Sequence, residues 1–260
     1  MFTKTYTSLC PVAIASGNTN PAAFKNLIGF LRSRSLTLLT LWIWMALGLS
    51  QALAQPGECL DFDGSNDIVT IADGSWNDFG SSDFTVEAWV KKQAGSSGWS
   101  NLTAVGKWNT GASPGTNEWL MALTSDGADE KPTFSVEIGA TVYKAIGTTS
   151  MTVGTWYHIA CVREGTDIKL YVNGVLEATT AIGMTSINNV SGRHIKLARI
   201  DGFGGHTNME MDELRIWDDA RSAAEIADLK DCEIPTAYTD LLANYHFNQG
   251  TAGGINPGET

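Results

Sequence analysis

Positive charge is scarce in this chain. Seventeen Lys and Arg stand against 28 Asp and Glu, a formal net charge of −11. Four of the basic residues, Lys4, Lys25, Arg32 and Arg34, lie in the first 54 positions, which contain no Asp or Glu. Beyond that segment 13 basic residues face 28 acidic ones, a formal charge of about −15. A surface so acidic repels phosphate backbones and excludes nucleic acid as a partner. Cysteine is also sparse: there are four, and no two have CxxC spacing, so neither a zinc site nor a dithiol motif is indicated. The chain has no G-x-S-x-G elbow and no phosphate loop, since Gly202-Phe203-Gly204-Gly205 is not followed by a helical pattern. Serine-nucleophile and nucleotide chemistry therefore have no support.

The residues present begin with an export signature. The run Leu36–Leu49 is apolar, and Ser50-Gln51-Ala52-Leu53-Ala54 places small residues where a signal peptidase reads them. Residues 1–54 read as a signal peptide with an extended basic flank, cleaved after Ala54 to expose Gln55. The flank exceeds the roughly 15–30 residues of a whole signal, so translation starting further in, or retention as an anchor, stays open. An anchor needs about 20 apolar residues, and Ser50 and Gln51 end this run early. Export to the periplasm, cell surface or medium, without membrane insertion after cleavage, is the expectation. Cys10 leaves with the leader. In an oxidising compartment two of the remaining three cysteines should pair. Cys59 and Cys232, near the two ends of the putative domain, are the expected disulfide, and Cys161 a buried free thiol.

After the leader, glycines punctuate short β-branched and aromatic runs, the pattern of an all-β protein. Phe84, Val86, Ala88 and Val90 alternate on one face of a strand. Trp156–Val162 is apolar on both faces, as a central strand covered on each side would be. Asp167–Val172 alternates and ends in Asn173-Gly174, a hairpin turn, with Val175 starting the return. Further strands are predicted at Ile68–Ile71, Leu102–Trp108, Trp119–Leu123, Phe134–Ile138, Val142–Ala145, Ile195–Arg199, Met209–Trp217 and Leu242–Phe247. Helical character is confined to Ala223–Lys230, which Ser222 and Glu225 open with a capping box. These elements predict a two-sheet antiparallel β-sandwich with one short helix near the C-terminus.

The motifs carry a family resemblance. Leu60-Asp61-Phe62-Asp63-Gly64-Ser65-Asn66-Asp67-Ile68-Val69 resembles the opening of laminin-G-like jelly-roll domains of the concanavalin A-like superfamily. Phe84–Val90, Trp156–Ala160, Leu170–Gly174, Met211–Trp217 and Arg221–Ile226 are similar to its later motifs, in the same order. Together they cover nearly all of Cys59 to Cys232, so residues 55–235 are assigned to one such domain. Residues 236–260 read either as a last strand followed by a loose tail or as the start of a further segment of a longer protein.

The resemblance implies a calcium ion stapling the first strands to the last, and Asp63 and Asp212 are the matching carboxylates. Against this stands a purely structural alternative, in which Asp63 closes an Asx-turn and Asp212 meets a buried backbone amide. Hydrolases of the superfamily carry three acids on alternate positions of one strand. Glu210 and Asp212 begin that pattern, but the next alternate residue is Leu214, so no catalytic residue is assigned. Glu87 and His158 read as packed strand residues. Of the tryptophans, Trp89, Trp156 and Trp217 fall in family motifs and read as core. Trp76, Trp99 and Trp108 lie in or near loops and are the candidates for ligand contact. Asn101 and Asn189 each open a glycosylation sequon. The expected function is a non-catalytic binding or adhesion module for a glycan or an extracellular protein. A structural spacer and, third, a glycan hydrolase or lyase are the alternatives.

Overall fold

The computed structural model describes residues 59–248, apart from 96–102, 112–113, 127–128, 203–204 and 236. The expected leader over residues 1–54, Trp99, Asn101 and residues 249–260 lie outside the described residues. In chain order the strands are β1 (Leu60–Asp63), β2 (Val69–Ile71), β3 (Phe84–Lys92), β4 (Thr103–Gly106), β5 (Trp119–Asp126), β6 (Asp129–Ile138) and β7 (Thr141–Ile146). Then follow β8 (Trp156–Glu164), β9 (Asp167–Val172), β10 (Val175–Ala181), β11 (Ile195–Leu197), β12 (Asn208–Trp217), the helix α1 (Ala223–Leu229) and β13 (Leu241–Tyr245). Every strand pair is antiparallel.

Two sheets result. The seven-stranded sheet runs β1-β12-β3-β8-β9-β10, and the six-stranded sheet runs β2-β11-β4-β5-β6-β7. The β12 edge is shared: β1 pairs with residues 208–211 and β13 with residues 214–217. The segment from Leu241 is thus a strand of the sandwich itself, beside β12 and not paired to β1.

Period-two alternation explains the core. Phe84, Val86, Ala88 and Val90 face inward with Ile159, Cys161, Ile168 and Leu170, and meet Trp119, Met121, Phe134 and Val136 from the other sheet. Phe79 stacks on Phe84 with centroids 4.0 Å apart, and Phe134 meets Phe84 edge-on at 6.1 Å. β8 is apolar on both faces because α1 covers its second one, packing Ile226 on Ala160, Val162 and Tyr171. The helix is held by its capping box: Ser222 Oγ accepts from Glu225 N, and the Glu225 carboxylate accepts from Ser222 N at 2.8 Å. The Asn173-Gly174 turn has φ of 51° and 81°, both left-handed, as the hairpin requires. A Cβ at Gly174 would also sit 3.1 Å from Ala227 Cα, so the glycine lets α1 approach the turn.

Candidate functional site

The expected metal pair does not converge. β1 and β12 run in register with Leu60 opposite Met211 and Asp63 opposite Asn208. Asp212 therefore lies beyond the far end of β1 from Asp63, about four residues along the ladder, or roughly 13 Å at the usual strand rise. Asp63 is exposed and its Oδ1 accepts from Ser65 N at 2.7 Å, an Asx-turn. Asp212 is buried and its Oδ1 accepts from Glu213 N at 2.8 Å. The structural alternative describes both residues, and together they do not fit one calcium ion. No group of three or more His, Cys, Asp or Glu that could hold a metal occurs among the described residues.

The expected Cys59–Cys232 bridge is likewise not formed. The Cys59 thiol lies 3.5 Å from Glu210 Oε2 at the β1–β12 edge. The buried Cys232 thiol instead meets Asp228 O, at the end of α1, packed with Trp217, Leu229 and Ile234. Burial, reinforced by Glu210 and Asp212, pushes the Cys59 thiol up to about 12. Cys161 is a buried free thiol, as the sequence indicates.

Alternation fails at one place in β12. Asp212 pairs with Trp89 but Arg215 pairs with Glu87, so one extra residue is inserted between them. The bulge takes Glu213 to φ 51°. It turns Leu214 into the inter-sheet core, so Leu214 does not share the face of Asp212, contrary to the simple count. Glu213 is the residue displaced, and it is engaged: Arg215 Nη2 donates to it at 2.8 Å and His246 Nδ1 lies 2.9 Å from it. Glu210 pairs with Lys91 and accepts from Gln93.

Beneath α1 these residues form a buried polar lock. Arg215, 1% exposed, donates to Leu229 O at 2.9 Å and to Cys232 O, and sits 3.5 Å from Glu87. Trp217 Nε1 donates to Glu87 at 3.0 Å, and His158 Nε2 lies 3.4 Å from the same carboxylate. Burial raises the Glu87 pKa, against the pull of Arg215 and Trp217. Trp89 Nε1 donates to Lys230 O at 2.6 Å. The bonds from Arg215 to Leu229 O and Cys232 O and from Trp89 to Lys230 O fasten the end of α1 and its exit to the sheet, while Trp217, His158 and Arg215 converge on Glu87 within it. The tryptophans are distributed differently from expectation. Trp217 is fully buried but under the helix, while Trp89 and Trp156 are half-buried on the outer face, because they alternate with the inward apolar set. Lys91 Nζ covers the Trp156 ring at 5.0 Å. The core tryptophan is Trp119, 1% exposed, and Trp108 is buried at 8%.

A different cluster forms at one end of the six-stranded sheet. The end of β2, the start of β11, the end of β4 and the start of β5 meet there, because these strands are antiparallel neighbours. Lys107, directly after β4, is fully buried with its ammonium in a cage of oxygens. Asp78 Oδ1 lies at 2.7 Å, Asp73 Oδ1 at 2.8 Å, Asn77 Oδ1 at 3.1 Å, Glu118 Oε2 at 3.1 Å and Asn77 O at 3.3 Å. Burial alone would lower the Lys107 pKa, but the bonds to Asp73 and Asp78 and the Glu118 charge outweigh it and hold it above its ordinary value. For Glu118 the balance reverses: burial prevails over Lys107 and the Val190 N–H, and its pKa rises to about 7. The cage also fixes the loop before β11, through Gly192 N to Asp73 at 2.7 Å and Val190 N to Glu118 at 3.0 Å.

The cage pins a short 3-10 turn, Ser75–Asn77, from both sides. Gly74 N donates to Asn77 Oδ1 at 3.3 Å, and Asn77 Nδ2 donates to Ala72 O at 3.1 Å. The turn presents Trp76, which is 37% exposed. A Cβ at Gly74 would stand 3.1 Å from Trp76 Cδ1, so the absence of a side chain there sets where the indole lies. Sequence reasoning names Trp76 as a candidate but gives no sign of the cage. Lys107 lies near the end of the predicted Leu102–Trp108 strand with nothing to mark its burial.

A family model, Laminin_G_3 of the Concanavalin A-like lectin/glucanases superfamily, matches residues 63–227. The chain belongs to this superfamily. Among solved structures, the superfamily fold of this chain is similar to a putative carbohydrate binding protein from Bacteroides ovatus, with TM-score 0.54 and 20% identity. That match covers 73% of this chain and 52% of the other. The binding domain of Paraclostridial Mosquitocidal Protein 1 matches with TM-score 0.51 and 15% identity, over 67% of this chain and 45% of the other. The chain thus spans about half the length of these two structures. No curated protein matches it. The superfamily assignment accounts for the jelly-roll sheets and the helix on the seven-stranded face.

Proposed function

We propose that the chain is an exported, non-catalytic module that binds carbohydrate. The observation that carries this reading is the jelly roll it shares with a solved structure described as a putative carbohydrate binding protein. The second solved structure, also a binding domain, points the same way. The leader over residues 1–54 supports export, and the formal charge of the remainder suits a soluble surface with little attraction for nucleic acid. Against hydrolysis stands the engagement of the β12 acids. Glu210 is tied to Lys91, Asp212 caps its own bulge, and Glu213 is tied to Arg215 and His246. Retaining or inverting cleavage needs two carboxyls facing one glycosidic bond, one able to deliver a proton and the other open to substrate or water. The reading does not call on calcium. It is tested by screening the chain on an oligosaccharide array and titrating the strongest hit calorimetrically. Saturable binding without product release is the expected result. Release of shortened sugars would restore the hydrolase, and no binding to any sugar would leave the spacer.

A further inference from the structure

Resting on the carbohydrate reading, we infer that Trp76 is the stacking platform on which one sugar ring docks. Three observations converge on it. First, Trp76 is the most exposed of the described tryptophans, at 37%, the others being half-buried or buried. An indole left in water at this cost is the residue type that anchors ligands by its face. Second, its turn is rigid. Asp73, Asn77 and Asp78, which bracket Trp76, all bond to one buried ammonium, and Phe79 stacks into the core just after. A platform held in place before the ligand arrives loses little freedom on binding. Third, its flanks are open to solvent. Ala72 and Ser75 on the same turn, and Ser191, Gly192 and His194 on the loop that bonds to Asp73, are exposed.

His194 adds direction. Its Nδ1 accepts from Asp73 N at 2.9 Å, so the neutral ring carries its proton on Nε2. That ring is exposed, and its remaining N–H is a donor suited to a hydroxyl. An exposed indole, with a donor on the loop bonded to its turn, matches a pyranose, which offers an apolar C–H face and hydroxyls around its rim. Gly74 is the positioning residue, since any side chain there meets the indole.

The test compares the full chain with Trp76→Ala and Trp76→Phe on the same oligosaccharide array, followed by calorimetry and a thermal melt of each. Loss of affinity of about tenfold or more in Trp76→Ala, a smaller loss in Trp76→Phe, and unchanged melting temperatures are expected. Equal affinity of wild type and Trp76→Ala would overturn the platform while leaving the carbohydrate reading intact. Failure of the folded wild type to bind any sugar would overturn both.

Discussion

Replacing Lys107 with Met keeps the buried stem and removes the charge. The four side chains around Nζ then face each other without a cation. Their access to water differs: the Asp73 and Asp78 side chains are 13% and 20% exposed, but that of Glu118 only 1%. Removing one partner of a buried ion pair costs about 3–5 kcal/mol, because the other charge stays uncompensated. Glu118 can avoid its share by taking a proton, which is easy at pH 5 and costly at pH 8, since its pKa is already about 7 with Lys107 present. The loss should be near 3 kcal/mol at pH 5 and near 5 kcal/mol at pH 8. In a domain of this size each kcal/mol shifts the midpoint by about 2–4 °C, so the melt should move by roughly 6–12 °C and 10–20 °C respectively. Urea unfolding at both pH values, followed by tryptophan fluorescence, measures it. A loss under about 1 kcal/mol at both would mean that water already reaches the cage. A large loss independent of pH would mean that Glu118 is not the acid that burial raises.

The Glu118 pKa stands near 7 in the folded protein and 4.5 in the reference state. The folded protein therefore holds the proton more tightly, and the stabilisation is full below pH 4.5 and lost as pH rises through 7. The stability difference between wild type and Glu118→Gln should shrink by about 3 kcal/mol over that window. A difference that grows with pH would mean the Lys107 attraction, and not burial, dominates. For the cysteines, thiol titration of the unfolded chain should count four, or three after cleavage behind Ala54. A count two lower would reinstate the Cys59–Cys232 bridge.

Much of the fold is legible in the sequence because it is written in period-two alternation and turn chemistry. Phe84 to Val90, the Asn173-Gly174 turn and the Ser222 capping box each act locally, and each forms as the residues dictate. The β12 bulge is not legible that way. Nothing in Asp212-Glu213-Leu214-Arg215 announces the inserted residue, and one insertion reverses every side chain after it. The same limit governs the site. The oxygens around Lys107 come from two stretches, Asp73–Asp78 and Glu118, that only strand pairing brings together on it. Trp76 is visible as a loop tryptophan, but its rigidity comes from that long-range cage. The Cys59–Cys232 and Asp63–Asp212 expectations share one failing. Each joins residues near the two ends of the domain, and the register of β1 on β12 with the path of α1 puts them apart.

The most direct measurement of the central claim is calorimetric titration of the folded chain with the strongest sugar from an oligosaccharide array. Binding at one site, with no sugar cleaved over hours, is the outcome expected of a carbohydrate-binding module of this superfamily. A well-folded chain that binds no oligosaccharide, or that shortens the one it binds, would contradict it.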